Sequence, residues 1–242
     1  MSLPDLSGNP IDNLSGIPEN LVEIKQRIAQ AAGRSGRAED ACELLVVSKT
    51  WPANKVAEVV AAGHLSFGEN KVQEAETKVP VLPDHLHWHL IGHLQRNKVR
   101  KALPLFDTIH SIDSLKLARY TSNIADGLGV KPNIYLQVNL AGEESKNGYA
   151  PDDLRRDLDD LLSLESLSIM GLMCIPPAAA TPEDGRPWFA KLRELRDELE
   201  VRAGIPFPGL SMGMSGDFEV AIEEGATIVR VGSAIFGSRS YL

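Results

Sequence analysis

Cysteine, aromatic residues and long apolar runs are all scarce in this sequence of 242 residues. Its two cysteines, Cys42 and Cys174, are far apart and form no C-x-x-C pair, which favours reduced thiols in a cytoplasm over a disulfide framework. No apolar run approaches the roughly 20 residues of a membrane span. The start, "MSLPDLSGNPIDN", lacks the basic and apolar regions of a signal peptide. We therefore expect a cytoplasmic protein that does not act at a membrane.

Positive charge is also in short supply, because 25 lysines and arginines face 33 acidic residues and the net charge is −8. This balance argues against nucleic acid or an anionic membrane as the main partner. Hydrophobic residues make up 43% of the chain, which is enough for a real core. We expect residues 1–16 to be a loosely ordered lead-in and residues 17–242 to form one domain, acting as a monomer.

Short β-rich runs alternate with helical segments along the whole chain. Parallel strands buried on both faces read as continuous apolar runs, and several of these segments do so. An open doubly wound sheet rarely has so many sequential units without an Asp or Gly fingerprint after its first strand, so a barrel fits better. The sequence therefore predicts a single (β/α)8 TIM barrel. Its eight strand candidates are 43–50, 65–70, 86–92, 106–113, 133–140, 167–175, 209–215 and 227–237.

Polar residues and glycines stand at the ends of most of these runs. In a (β/α)8 barrel the carboxyl ends of the strands meet at one mouth, where functional groups gather. We therefore expect these residues to converge there: Lys49, Asn70, Gly92, Asn139, Ser215 and Gly232.

The last two strands lead into turns rich in glycine and small hydroxyl residues, "SMGMSGD" (211–217) and "RVGSAIFG" (230–237). Backbone N–H groups at such turns bind anions, and glycine lets a phosphate come close. Barrels often bind phosphate after strands seven and eight. The two turns therefore predict a phosphate site, with simple tight turns as the alternative.

Lys49 ends the first apolar run, "LLVVSK". Beside a phosphate anchor, a lysine can form a Schiff base with a sugar-phosphate carbonyl or with pyridoxal 5′-phosphate (PLP). Burial would favour the neutral, nucleophilic amine. The alternative is a lysine whose head reaches water or pairs with a carboxylate such as Glu69.

Arg230 lies inside the apolar segment "TIVRVGS" and so requires a buried acceptor. A pyridine nitrogen, a phosphate or a carboxylate would serve. An ion pair with Glu219, Glu223 or Glu224 is the simpler structural interpretation.

Histidines alternate in "HLHWHLIGH", which places His85, His87 and His89 on one side of a strand with His93 nearby. The sequence offers no supporting carboxylates of the kind that orient metal-binding imidazoles, so we expect no metal site. His89, near the end of its run, is expected to reach the mouth.

Seven segments together resemble a known family. They are "VVSKT", "FGEN", "WHLIGHLQRNK", "HSIDS", "VNLAGEESKNG", "IMGLMCIPP" and "LSMGMSGDFEVAIEEGATIVRVGSAIFG". In this order they resemble the YggS/PROSC family, the pyridoxal phosphate homeostasis proteins, from about residue 20 to residue 239. The resemblance implies a barrel like the N-terminal domain of alanine racemase, with PLP held as an internal aldimine.

The resemblance also implies roles for individual residues. Lys49 matches the Schiff-base lysine, Arg230 the arginine assigned to the pyridine nitrogen, and Asn70 and His89 match polar residues near the cofactor. Ser233 stands where many relatives have threonine, which preserves the hydroxyl. The loop reads "ESKNG" where relatives often read "STKSG", so Lys146 keeps its place. The phosphate-binding turns are matched by Ser211, Met212, Gly213, Ser215, Gly232 and Ser233.

The resemblance to a racemase raises the question of catalysis. Racemisation requires acid and base groups on both faces of the substrate Cα, and the related racemases supply one of them from a second, β domain. The sequence ends at Leu242, soon after the eighth unit, so we expect no such domain and no catalytic residue. The expected function is a PLP carrier in intracellular PLP homeostasis and amino-acid and vitamin B6 balance, which delivers PLP to apo-enzymes. The alternatives are a single-domain amino-acid racemase and a Schiff-base aldolase that uses Lys49 without PLP.

Overall fold

The computed structural model describes residues 16–143, 146–178 and 180–237. The lead-in that the sequence predicts lies outside these ranges except for Gly16, which immediately precedes the first helix.

The strands form a closed, all-parallel barrel in which each strand pairs with its sequence neighbour and the last pairs with the first. This confirms the predicted (β/α)8 fold, and each strand lies within its predicted run. The strands are β1 Glu43–Val47, β2 Ser66–Glu69, β3 His87–Leu90, β4 Thr108–Ile112, β5 Asn133–Val138, β6 Ser168–Cys174, β7 Gly209–Met214 and β8 Ile228–Val231.

Helices connect the strands and surround the barrel. The sequence gives visible start signals for two of them, because the Ser114 hydroxyl caps α5 by accepting from Leu117 N at 3.3 Å and Pro151 is the first residue of α6. Single 3-10 turns at Val79–Val81, Arg96–Lys98 and Pro182–Gly185 extend the connections. The helices are α1 Ile17–Arg34, α2 Ala53–Ala61, α3 Val72–Lys78, α4 Val99–Ala102, α5 Leu115–Leu128, α6 Pro151–Leu162, α7 Arg186–Ala203, α8 Phe218–Glu223 and α9 Ser233–Phe236.

Helix α1 precedes the first strand and was not expected from the alternation of strands and helices. Its buried residues, including Leu21, Ile24 and Ile28, recur at helical spacing and pack against α8 and α9. The Asn20 amide also donates to Ile235 O at 2.9 Å. This helix therefore packs on the two helices that follow β7 and β8.

The apolar core has two layers, as is usual for such barrels. The larger layer lies between the sheet and the helices. The smaller one fills the barrel interior with Leu45, Val47, Ile91, Tyr135, Met173 and Ile228. Buried polar residues of β3, β4, β7 and β8 reach across the interior, and one of them, Arg230, lines the mouth.

Both cysteines are free thiols buried in the protein, and burial raises the pKa of each to about 12. Over the ranges that the structure covers, no helix is both long and apolar enough to cross a membrane.

Candidate ligand-binding site at the barrel mouth

A cavity of about 480 Å³ opens at the carboxyl ends of the strands, within the range of roughly 300–1,000 Å³ that is typical of small-molecule sites. Its lining is drawn from the carboxyl ends of β1, β2, β3, β6, β7 and β8 and the turns that follow them, which are far apart in the sequence. Six of the residues predicted for the site line it: Lys49, Asn70, Ser215, Arg230, Gly232 and Ser233.

Lys49 lies two residues beyond the end of β1 and is exposed in this cavity, so the burial that the sequence suggests for its amine is not found. Strand β1 is buried from Leu44 to Val47, but the chain turns at Ser48 and releases the side chain into the mouth. The proposed alternative partner, Glu69, uses its Oε1 atom to accept from the Ser48 hydroxyl at 2.7 Å and from Lys78 Nζ at 2.6 Å.

The turns after β7 and β8 meet at the mouth, because Gly232 N donates to Ser215 Oγ at 3.3 Å. The first turn is fixed by Asp217, whose carboxylate accepts from Met214 N at 2.7 Å. A Cβ atom on Gly216 would meet nothing within 4 Å, so this glycine leaves open space beside the cavity. The two turns therefore form a joined wall of backbone and hydroxyl groups.

Gly232 also has a packing role. A Cβ atom at this position would lie 2.9 Å from the Val47 carbonyl oxygen, which belongs to the backbone of β1. Close packing against β1 therefore requires a glycine here, in addition to its place in the cavity wall.

Three residues predicted for the phosphate turns lie elsewhere. Met212 is fully buried in the core between sheet and helices, and Gly213, with φ of 89°, faces Ala221 and Phe218 on α8. Ser211 is fully buried inside the barrel. Alternation along β7 explains the opposite directions of Ser211 and Met212. Gly213 departs from this alternation, and the pairing of β7 with β8 shifts register between Ser211 and Met214.

Arg230 is 4% exposed and forms the inner wall of the cavity. Its guanidinium donates to Ser211 Oγ at 2.7 Å and to the Cys174 carbonyl at 2.8 Å, and burial lowers its pKa. The suggested ion pair with a nearby glutamate is not formed. Glu219 binds Arg27, Glu223 binds Arg34 and Arg186, and Glu224 binds Arg186 and Arg193.

A chain of hydrogen bonds continues from Arg230 through the barrel interior. His110 Nδ1 lies 2.8 Å from Ser211 Oγ, and His110 Nε2 lies 2.9 Å from His89 Nδ1. Because a guanidinium only donates, Ser211 accepts from Arg230, and neutral imidazoles, each with one donor and one acceptor nitrogen, can complete the chain. Burial lowers the pKa of both imidazoles, which agrees with this neutral arrangement.

His89 therefore lies in the interior, and the expectation that it reaches the mouth is not met. It lines a smaller cavity of about 270 Å³ at the amino end of the barrel, together with Glu43, Ser66 and Thr108, the first residues of three strands. In the sheet, His89 pairs with Thr108, the first residue of β4. The stagger between neighbouring strands of the barrel thus places His89 level with the amino end of β4.

The other histidines do not gather into a site. His85 and His87 are exposed, and His87 Nδ1 lies 4.0 Å from Asp107. His93 Nδ1 lies 3.2 Å from Asp113 near the mouth. Where the chain is described, no group of three or more His, Cys, Asp or Glu residues could hold a metal ion.

A second cavity of about 340 Å³ adjoins the first and shares Asn70, Ile91 and Ile175 with it. Lys146 lines this cavity and donates to Glu143 Oε1 at 2.8 Å and to the Pro176 carbonyl at 3.0 Å. Residues 144 and 145 of the same loop lie outside the described ranges. Lys146 is thus at the same mouth as Lys49, as expected for a loop after β5.

Sequence reasoning missed the apolar wall of the mouth cavity. Trp51 stacks on Phe236 with ring centroids 5.3 Å apart, and Ile91 and Ile175 add aliphatic surface. The signal was available, because Trp51, Ile91 and Ile175 each lie within four residues of the end of a strand. A flat aromatic or heteroaromatic ligand suits a wall of this kind.

The fold and the mouth define the class of protein: a (β/α)8 barrel with a small-molecule site between β1, β7 and β8, bearing a lysine and a buried arginine. Residues 20–240 match the family described as alanine racemase, N-terminal domain. The chain belongs to this family and, within it, to the pyridoxal phosphate homeostasis proteins.

The relatives cover nearly the whole chain. The pyridoxal phosphate homeostasis protein of Aquifex aeolicus is 45% identical over 224 residues, which are 92% of this chain and 98% of that protein. The Pseudomonas aeruginosa protein of the same name is 45% identical over 230 residues, with 94% and 98% covered. The structure of PipY from Synechococcus elongatus, with PLP bound, is 41% identical, has a TM-score of 0.82, and aligns with 91% of this chain and 100% of PipY.

Proposed function

We propose that this protein binds PLP at the barrel mouth, holds it through a Schiff base to Lys49, and acts in PLP homeostasis as a carrier of the cofactor. The observation that carries the proposal is one cavity lined by an exposed lysine, a buried arginine and two joined glycine–serine turns. Membership of the pyridoxal phosphate homeostasis family and the PLP bound to PipY support it.

The residues present suit the chemical groups of PLP. The turns 215–216 and 232–233 offer backbone and hydroxyl donors for the phosphate, and the gap beside Gly216 leaves room for it. Arg230 supplies a fixed cation for the ring nitrogen, while Trp51 and Ile175 offer apolar surface for the ring. When bound, PLP supplies an aldehyde that reacts with amines, and Lys49 supplies the amine.

The carrier role is supported by what surrounds Lys49. The lysine is exposed in a cavity that opens to solvent, so an incoming amine has access to it. Arg230 keeps a positive charge beside the ring position, which weakens the electron sink that racemisation uses. Apo forms of PLP enzymes are the proposed recipients.

Residues 17–242 act as one barrel and a monomer, located in the cytoplasm, where buried free thiols such as Cys42 and Cys174 remain reduced. The net charge of −8 supports a protein without nucleic-acid or membrane partners.

Transfer to an apo-enzyme tests the carrier role directly. The loaded protein should restore activity to an apo PLP enzyme in the presence of a trap that consumes free PLP. A coupled assay for D-amino acids should show no turnover, since turnover would establish the racemase alternative. Loss of all transfer in the presence of the trap would contradict a direct carrier.

A further inference from the structure

Lys78 is a buried lysine that lies outside the mouth cavity. It is the last residue of α3, is 5% exposed, and points its ammonium at the end of β1. Nζ donates to Glu69 Oε1 at 2.6 Å and to the Ser48 carbonyl at 2.8 Å. Buried charges of this kind are rare and costly, so their placement needs a reason.

The segment that Lys78 contacts is the turn that presents Lys49. Trp51 N donates to Ser48 O at 3.1 Å, which closes a turn with Lys49 and Thr50 at its centre. Thr50 has φ of 65°, a conformation that β-branched residues rarely adopt. Its N–H donates to the Glu74 carboxylate, which also lies 3.7 Å from Lys78 Nζ. The strained turn is thus held by side chains from β2 and α3.

The contacts fall on both sides of Lys49. On one side, the Ser48 carbonyl binds Lys78 and the Ser48 hydroxyl donates to Glu69 at 2.7 Å. On the other side, the Thr50 amide binds Glu74. The backbone around Lys49 is therefore fixed, although its side chain is exposed in the cavity.

Stability alone explains this cluster poorly. Replacing a buried ion pair by apolar residues of similar volume is often neutral or stabilising. Moreover, Glu69 Oε2 is buried and makes no hydrogen bond within the described residues. A pair selected for stability would satisfy both oxygens, because a buried unsatisfied acceptor is costly. Glu69 instead commits one oxygen to both Ser48 and Lys78.

We propose that Lys78 and Glu69 are positioning residues that hold the Ser48–Trp51 turn and thereby aim the Lys49 amine into the cavity. The pair acts through the backbone of Lys49 and not through contact with the ligand. This inference rests on the proposed Schiff base at Lys49. Its direct consequence for the turn itself is measurable without any ligand.

The test compares the wild type with the double variant Glu69→Gln, Lys78→Met, which removes both charges of the buried pair together. In the ligand-free protein, the Thr50 and Trp51 amides should exchange hydrogen roughly tenfold faster, as expected for the loss of about one hydrogen bond. Borohydride trapping of PLP on Lys49 should slow by a similar factor. Binding of 4′-deoxypyridoxine 5′-phosphate, which lacks the aldehyde, should be unchanged. Melting temperature checks that the variant folds.

The matched control is Lys55→Met, Glu58→Gln, which removes an exposed pair joined at 2.8 Å on α2 and should change neither rate. Wild-type exchange and trapping rates in the Glu69/Lys78 variant would overturn the proposal. So would a parallel loss of analogue binding and trapping, because that outcome assigns the pair to general stability. If the wild type itself traps no PLP on Lys49, the Schiff base is refuted, and the exchange rates still decide whether the pair holds the turn.

Discussion

Arg230 is a buried cation that donates to two neutral oxygens, the Ser211 hydroxyl and the Cys174 carbonyl. Its charge is therefore available to a ligand in the mouth cavity. The neutral His89–His110 pair behind Ser211 holds the hydroxyl so that it accepts from the guanidinium. Arginine suits this position because it stays protonated even where burial lowers its pKa.

If Arg230 contacts the pyridine nitrogen, Arg230→Gln should weaken PLP binding about 10–100-fold, the equivalent of one charge-assisted hydrogen bond. Titration of PLP into the folded variant measures this. The affinity for inorganic phosphate should not change. An equal loss of phosphate affinity would place Arg230 on the phosphate and contradict the assignment.

His64 makes stability depend on pH. It is 8% exposed, its ring nitrogen bonds the Ser66 carbonyl at 2.9 Å, and burial lowers its pKa to about 4 from an ordinary value of 6.5. The unfolded chain therefore binds a proton on this residue first as pH falls. Its stabilising contribution is present above pH 6.5 and is lost as pH falls towards about 4.

We expect the wild type to lose roughly 2 kcal/mol of unfolding free energy between about pH 7.5 and about pH 5 through His64 alone. Urea unfolding of the wild type and of His64→Gln, which keeps a donor for Ser66, isolates this contribution. The variant should show a pH dependence that is smaller by that amount. Identical pH profiles would contradict the buried, neutral state of His64.

At the scale of elements, the barrel could be predicted because buried parallel strands are apolar on both faces and are separated by helical spacing. It was harder to predict how high in the barrel a single side chain lies and which face of the sheet it occupies. His89 alternates correctly along β3, yet the stagger of the barrel, which the sequence does not reveal, places it at the amino end. Met212 and Gly213 were assigned to the phosphate turn because they belong to the segment "SMGMSGD". In the structure, Met212 lies in the core between sheet and helices, and Gly213 faces α8.

The turn after β7 allows a clean test of the phosphate position. Gly216→Val adds a side chain where a Cβ meets nothing within 4 Å, and the backbone of Gly216 is outside the positive-φ region. The variant should fold normally and weaken PLP binding about 10–100-fold by filling the space next to the turn. Gly127→Val on α5, which is equally open, is the control. Unchanged PLP affinity in Gly216→Val would place the phosphate elsewhere.

The loop after β5 carries Lys146, whose amine lies at the second cavity and is paired with Glu143. A second amine at the rim can accept PLP from Lys49 by exchange of one Schiff base for another. Lys146→Ala should therefore leave the Lys49 spectrum intact but slow PLP transfer to an apo-enzyme. Lys131→Ala, just before β5 at the other end of the barrel, is the matched control. Equal transfer rates at equal PLP loading would make Lys146 an ordinary surface lysine.

At the scale of the whole molecule, barrel closure is what assembles the site. Pairing of β1 with β8 aligns Leu45 with Arg230 and Val46 with Val231, so the ends of the first and last strands become neighbours. Lys49 and the Gly232 turn, more than 180 residues apart in the sequence, thereby line the same cavity. The site therefore depends on folding of the complete barrel and cannot form within one of its repeating units.

The most direct test of this account is borohydride reduction of the PLP-loaded protein followed by peptide mass mapping. The account predicts one stoichiometric pyridoxyl adduct on Lys49, and no such adduct or visible Schiff-base absorption in Lys49→Ala, which should still fold and bind some PLP through the turns at Ser215 and Gly232. A principal adduct on another lysine of the wild type, or visible absorption that persists in Lys49→Ala, would contradict it.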